Sequence, residues 1–224
     1  MLVFACIGHF AVHLLLGLHA TAALAIEREW SIDYGSVIEL GIGGAFLVGA
    51  AAPAAGWLAD KAGSARLMVV FFLGSGAASM TTAMAGGPAS LAMTLGGLGL
   101  FAAIYHPVGL AWLLGGVAER RRGWAVGVNG LFGSLGVAAA PAAAGLLGDA
   151  WGWRAAFFLP GLGTVALGAL LILTRARGAV PDDHAAAAAR PAAGTVTKAM
   201  SSDSRRALVA LAAAMVCGSV LYAS

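Results

Sequence analysis

Three histidines and a tyrosine are the residues best suited to chemistry in this sequence, because they interrupt otherwise apolar stretches. His9 and His13 are four residues apart, so their side chains share one face of a helix. Tyr105 and His106 precede Pro107, which leaves one backbone carbonyl of its helix without a donor. Histidine titrates near neutral pH, and a polar group in a lipid-embedded helix usually faces a cavity or a partner. These four residues are our candidates for binding a substrate or a proton.

The same residues have simpler interpretations. Each histidine would also be explained by a hydrogen bond between two helices, and we favour that interpretation for His19. The spacing of His9 and His13 would suit two ligands of a transition metal, but no acidic ligand accompanies them and Cys6 is the nearest thiol. We therefore predict no metal site and no cofactor. Asn129 is either a packing contact or a donor to a cavity, and the sequence does not decide between the two.

The composition indicates what kind of element positions these residues. The 224-residue chain is 60% hydrophobic and only 10% charged, whereas an ordinary soluble domain carries about 25% charged residues. The charges are also clustered, so that six stretches contain no Asp, Glu, Lys or Arg: 1–26, 40–59, 67–118, 123–148, 155–174 and 207–224. A helix crosses the hydrocarbon core of a bilayer with about 20 apolar residues. These stretches therefore predict an all-α membrane protein.

The stretch 67–118 is long enough for two helices, and Gly86, Gly87 and Pro88 supply the break between them. We predict six complete spans, at 2–26, 37–59, 67–85, 89–116, 124–148 and 153–174. A seventh helix begins near residue 207 and meets the end of the sequence at residue 224. The chain then has three parts, namely a six-helix lobe over 1–174, a linker over 175–206 and a partial helix over 207–224.

The basic residues predict the orientation of the spans. All of them except Arg28 and Arg154 lie in alternate loops, namely Lys61, Arg66, Arg120, Arg121, Arg122, Arg175, Arg177, Arg190, Lys198, Arg205 and Arg206. Loops rich in Lys and Arg stay in the cytoplasm. We therefore expect a multi-pass protein of the inner membrane with a cytoplasmic amino terminus. The net charge of +3 is explained by these basic loops. The expected partner is therefore the lipid bilayer and not a nucleic acid.

The loop between the second and third spans reads Gly-Trp-Leu-Ala-Asp-Lys-Ala-Gly-Ser-Ala-Arg over residues 56–66. It resembles the cytoplasmic signature of the major facilitator superfamily, and it lies in the loop where that family carries it. The resemblance implies a cytoplasmic gate between two lobes that includes Gly56, Asp60, Lys61, Gly63 and Arg66. Ser64 and Ala65 replace the usual basic pair, so we expect fewer charged contacts in this gate.

The fifth span contains Gly127, Gly136, Pro141 and Gly145 at a spacing that resembles the antiporter motif of the same superfamily. In that family the motif forms a proline-bent helix at the interface between the lobes. Alanines stand at two positions where the motif usually has glycine. Tight helix packing is the alternative explanation of these glycines.

The two histidine segments, His9 to His13 and Tyr105-His106-Pro107, resemble the fosmidomycin-resistance branch of this superfamily. That branch carries a histidine early in the first helix and a histidine-proline pair in the fourth. It typically has an acid at the position where this sequence has His13.

The resemblance implies the amino-terminal six-helix lobe of a twelve-helix secondary active transporter, which works by alternating access. We expect proton-coupled efflux of a small organic or amphiphilic compound, with His9, His13, Tyr105 and His106 along the substrate path. The expected partners are that compound, protons and a second, carboxyl-terminal lobe. Uptake by proton symport is the alternative, because the fourth span lacks the arginine common in drug and proton antiporters.

The sequence also bears on two classes of protein other than a transporter. A truncated, non-transporting membrane fragment is an alternative because the sequence ends within its seventh helix. An enzyme is not expected, since the chain has no phosphate-binding loop, no H-E-x-x-H sequence and no complete G-x-S-x-G sequence.

Overall fold

The computed structural model of the chain describes residues 1–180, and every regular element in this part is a helix. The first helix, α1, spans Leu2–Trp30, and α2 consists of the three segments Tyr34–Glu39, Ile42–Ala50 and Ala52–Ala62. The third helix, α3, spans Ser64–Thr82. The fourth, α4, contains Pro88–Ala102, a π-helical turn at Tyr105–Gly109, and Leu110–Gly115. A 3-10 turn at Glu119–Arg121 leads into α5 (Arg122–Trp151), which is followed by α6 (Trp153–Ala176).

Five of these helices are long and apolar enough to cross a membrane, and α2 makes a sixth if its bent parts form one span. The prediction of an all-α membrane protein is therefore confirmed, with five or six candidate spans where six were predicted. The predicted seventh helix at 207–224 lies outside the described residues, as does the predicted linker beyond residue 180.

The second span differs from the single straight helix predicted over 37–59. Its parts Tyr34–Ala50 and Ala52–Ala62 meet at an angle of 45°. Pro53 lies in the first turn of the last segment, where its missing N–H cannot bond to the preceding turn. The proline therefore explains a bend that hydropathy alone does not register.

Glycines allow two pairs of helices to pack at backbone distance. In the α1–α5 pair, Gly136 faces the backbone carbonyl of Phe10, and a Cβ on Gly17 would lie 2.6 Å from the Cβ of Ala140. In the α3–α6 pair, a Cβ on Gly161 would lie 2.7 Å from the carbonyl oxygen of Gly76. Close approach at small residues is the main source of helix association in lipid, so these glycines fix the bundle.

Two clusters of buried apolar side chains fill the space between the helices. One contains Met68 and Phe71 and surrounds the ring of Tyr105, and the other contains Leu18 and Phe157. Large apolar side chains are exposed on the outside of the bundle, as expected for a lipid-facing surface or an interface with another lobe: Ile42, Phe46, Leu131, Leu146 and Trp151.

Candidate substrate and proton site

The structure brings together all four candidate residues predicted from the sequence. On α1 the ring centroids of His9 and His13 are 5.0 Å apart, and their Nε2 atoms are separated by 3.2 Å. From α4, the ring of His106 lies edge-on at 5.7 Å from His9 and 5.4 Å from His13. Tyr105 stacks on His9 with centroids 5.1 Å apart and an interplanar angle of 21°.

The π-helical turn of α4 positions two of these side chains. It covers Tyr105–Gly109 and includes Pro107, which cannot donate the backbone bond that an α-helix requires. A π-turn places one extra residue in a helical turn, and such turns are frequent at functional sites. As a result, the rings of the neighbouring residues Tyr105 and His106 both contact the ring of His9.

Tyr105 lies behind the histidines and is only 1% exposed. Its hydroxyl donates to the carbonyl oxygen of Ala5 at 2.7 Å and accepts from Nδ2 of Asn129 at 2.9 Å. A Cβ on Gly8 or on Gly109 would come within 2.9 Å of its ring, so both glycines make room for it. Tyr105 therefore supports His9 in this lobe, and its direct contact with a substrate stays a prediction.

Asn129 is the site residue whose role the sequence left undecided. Its backbone carbonyl oxygen lies 2.8 Å from Nδ1 of His9, in addition to the bond from its side chain to Tyr105. It is 4% exposed and lies on the stripe of α5 that faces α1: Ala125, Asn129, Gly133, Gly136, Ala140 and Ala144. One polar residue on a buried stripe of small residues is a sequence signal that would have indicated this role.

The histidines share their surroundings with no acidic side chain of residues 1–180. The carboxylates of this region lie near helix ends or in connecting segments: Glu27, Glu29, Asp33, Glu39, Asp60, Glu119 and Asp149. His106 is exposed and His9 and His13 are half-buried, so the cluster opens on one side of the lobe. Among the described residues, no group of three or more His, Cys, Asp or Glu side chains could hold a metal ion.

The residues of the predicted gate lie at the end of α2 and the start of α3. Gly63 joins the two helices with φ 90°, a conformation that glycine adopts without strain. The ammonium of Lys61 lies 3.8 Å from the centroid of the Trp57 ring, and Gly56 faces Pro107 of α4. Within residues 1–180 the carboxylate of Asp60 has no hydrogen-bond or ion-pair partner, and it is exposed.

Arg66, the remaining gate residue, lies in the first turn of α3. It lines a groove together with Arg175 at the end of α6. Asp60 forms no ion pair with Arg66 or with another cation of residues 1–180.

The four motif residues of α5 divide between two faces of the helix. Gly136 packs against α1, whereas a Cβ on Gly127 or Gly145 would meet open space. Pro141 is exposed, and the helix continues without interruption from Arg122 to Trp151. Packing against α1 thus accounts for Gly136 alone.

His19 forms the interhelical hydrogen bond expected for it. Its Nε2 donates to the carbonyl oxygen of Val37 at 3.0 Å and so links α1 to the first segment of α2. The side chain is buried and lies apart from the other three histidines.

This bundle, with membrane-length helices around an inner cluster of histidines, defines a polytopic membrane protein. Residues 5–224 match the sequence model described as Major Facilitator Superfamily. The chain therefore belongs to this superfamily.

Two known proteins are similar to the chain. "Probable sulfoacetate transporter SauU" of Cupriavidus necator is 32% identical over 129 residues, which are 58% of this chain and 30% of that protein. A crystal structure of a mutant of the peptide transporter POT in complex with sulfate has a TM-score of 0.69 and 21% identity, and the match covers 99% of this chain and 45% of the other. At that identity the likeness shows the fold alone. Each match thus covers less than half of the other protein.

Proposed function

We propose that this chain is the amino-terminal lobe of a secondary active transporter of the inner membrane, which exports a small organic compound in exchange for protons. The observation that carries the proposal is the cluster of His9, His13 and His106, which two separate helices bring together on an open side of the lobe. A polar side chain inside a lipid-embedded bundle faces a cavity or a partner, and His106 has no hydrogen-bond partner within residues 1–180. Imidazole is the side chain that most readily takes up and releases a proton near neutral pH.

Alternating access requires a second lobe that covers this open side. The chain matches 45% of the peptide transporter's length, which is consistent with one lobe of two. His106 is the exposed member of the cluster, so it would face the cavity between the lobes. The amino terminus would lie in the cytoplasm, with the gate residues around Asp60 on the same side.

The nature of the substrate is supported by two observations. The relative from Cupriavidus necator carries the name of a sulfoacetate transporter, and sulfoacetate is a small organic acid. The cluster itself presents imidazoles without a carboxylate among the surrounding described residues, which suits an acidic substrate better than a cationic one. The likeness of the two histidine segments to the fosmidomycin-resistance branch supports export.

Uptake by proton symport is the second candidate. Leu95 and Gly96 occupy the region of α4 in which many drug and proton antiporters carry an arginine, so the usual antiport machinery is incomplete. A non-transporting lobe is the third candidate, because the matches cover less than half of each relative.

Transport assays on the complete protein in proteoliposomes separate these candidates. With labelled sulfoacetate outside, an acidic lumen drives accumulation by an antiporter, whereas an acidic exterior drives accumulation by a symporter. We expect the first result. The substitutions His13→Ala and His106→Ala should abolish accumulation driven by the pH gradient, and His184→Ala, in the predicted linker, is the matched control. Unchanged transport in both cluster variants would overturn the proposal.

A further inference from the structure

The hydrogen bonds of His9 and His13 fix which nitrogen of each of these two rings carries a proton. A backbone carbonyl only accepts, so Nδ1 of His9 donates to the carbonyl of Asn129 at 2.8 Å. A neutral imidazole has one N–H, which leaves Nε2 of His9 as an acceptor. The Nε2 of His13, 3.2 Å away, must then be the donor. Nδ1 of His13 is therefore the nitrogen of the pair that carries no proton and takes part in neither hydrogen bond.

In this arrangement the pair can bind one additional proton. A proton that binds Nδ1 of His13 leaves both hydrogen bonds intact. The charge can then pass to His9, because the Nε2–H bond of His13 breaks as an Nε2–H bond forms on His9. It stops there, since the carbonyl of Asn129 cannot take up a proton. A second proton would set two N–H groups against each other across 3.2 Å and place two charges on adjacent rings.

Within residues 1–180, few groups face the pair formed by His9 and His13. Cys6 precedes it on α1 by about one turn, Tyr105 and His106 face it from α4, and the uncharged Asn129 faces it from α5. The hydroxyl hydrogen of Tyr105 is held by the carbonyl of Ala5. His106 is the titratable neighbour of both members of the pair, and within residues 1–180 no hydrogen bond links it to either of them.

Gly133 makes the bond between His9 and α5 possible. A Cβ at this position would lie 2.6 Å from Cε1 of His9 and 2.8 Å from its Nδ1, so any side chain would displace the ring. Gly133 lies one turn after Asn129, directly beside the carbonyl that His9 reaches. It is a positioning residue for the histidine pair.

We propose that His9 and His13 form a carrier for a single proton, loaded at Nδ1 of His13, and that Gly133 and the carbonyl of Asn129 hold His9 in its Nδ1–H form. The role of this carrier in transport rests on the proposed function. Its proton-binding chemistry does not, because it is a property of the pair without substrate.

Nitrogen NMR on the complete protein, labelled with ¹⁵N-histidine and placed in lipid bilayers, tests the proposal. At pH 8 we expect a protonated Nδ1 and a bare Nε2 for His9, and the reverse for His13, with resonances assigned from His9→Gln and His13→Gln. On acidification one proton should bind to the pair while the coupling across the two Nε2 atoms persists. An Nε2–H form of His9 at pH 8, or the uptake of two protons in a single step with loss of this coupling, would overturn the proposal.

A pair of alanine variants separates positioning from general effects on the helix. Gly133→Ala should abolish the distinct Nδ1–H signal of His9. Gly130→Ala, one turn earlier, has open space around its new Cβ and should leave that signal unchanged. An unaltered His9 signal in Gly133→Ala would contradict the positioning role. If the NMR result fails while His13→Ala still abolishes transport, the single-proton carrier is wrong and the proposed function stands.

Discussion

Asn129 of α5 donates a hydrogen bond from Nδ2 to the hydroxyl oxygen of Tyr105 in α4, and the two residues lie 2.9 Å apart at these atoms. The same hydroxyl donates to the carbonyl of Ala5 in α1. Three helices are thus joined at one oxygen atom directly behind the histidine cluster. The cluster owes its geometry to this junction as much as to the histidines themselves.

Removal of that oxygen should weaken the bundle. In Tyr105→Phe the buried Nδ2 of Asn129 and the carbonyl of Ala5 lose their partner, and we expect the free energy of unfolding to fall by about 1 kcal/mol. Tyr34→Phe is the matched control, because the Tyr34 hydroxyl makes an exposed bond to Ala20 at 3.2 Å. Denaturation of the complete protein in detergent measures both. Equal stability of the two variants would show that the junction is not a stabilising contact.

Two glycines of the α5 motif should respond in opposite ways to alanine. Gly136→Ala places a Cβ against the carbonyl of Phe10, so α1 and α5 must separate and stability should fall by about 1–3 kcal/mol. Gly127→Ala meets open space, and alanine is the better helix former by up to about 1 kcal/mol. Thermal unfolding of both variants gives the comparison. Destabilisation by Gly127→Ala would indicate that this face packs against the second lobe.

The sequence predicted the helices and the histidine cluster for physical reasons that act locally. A long stretch without charged residues indicates a membrane-spanning helix. A spacing of four residues brings His9 and His13 to one face of such a helix. A polar residue among small residues marks Asn129 as a packing position, but its partners His9 and Tyr105 could not be predicted. They depend on the register between α1 and α5, which the close approach of Gly136 to Phe10 sets. The π-turn also escaped prediction, since Pro107 is equally compatible with a simple kink.

A different contact joins the end of α1 to the start of α6. Arg154 of α6 pairs with Glu29 of α1 at 2.7 Å and also donates to the carbonyl of Ala85 at 3.1 Å, beyond the end of α3. Both charged side chains are more than 40% exposed, so solvent screening reduces the value of the pair to about 0.5 kcal/mol. Arg154→Ala should cost somewhat more, about 1 kcal/mol, because the bond to Ala85 is lost as well.

A double-mutant cycle of Arg154→Ala with Glu29→Ala isolates the ion pair from the other contacts of Arg154. We expect a coupling free energy that decreases as salt is added. A coupling of zero at low salt would assign the whole effect to the Ala85 bond and to the stacking of Arg154 on Trp153.

Asp33 should titrate at unusually low pH in the folded protein. Hydrogen bonds from the hydroxyl and the backbone N–H of Ser36 hold the pKa of its carboxyl below the ordinary value of 3.8. Because the folded pKa is the lower one, the charged carboxylate stabilises the first turn of α2 above about pH 4. That contribution is lost as the pH falls through the folded pKa. Side-chain carbon NMR gives the midpoint, and Ser36→Ala should raise it while Ser31→Ala should not. The same midpoint in both variants would contradict this account.

The orientation of the lobe can be tested with two cysteines at opposite ends of the bundle, in a Cys6→Ala, Cys217→Ala background. Ser31 follows α1 at the end that holds Glu29, and Glu119 begins the turn before α5, near the end where Met1 packs against Gly116. An impermeant maleimide should label Ser31→Cys in intact cells and Glu119→Cys only after the membrane is opened. The reason is that Arg120, Arg121 and Arg122 follow Glu119, and loops rich in arginine are expected to stay in the cytoplasm. The reverse pattern would place Asp60 outside the cell. It would then exclude a cytoplasmic gate at this position, although the histidine cluster and its hydrogen bonds would be unchanged.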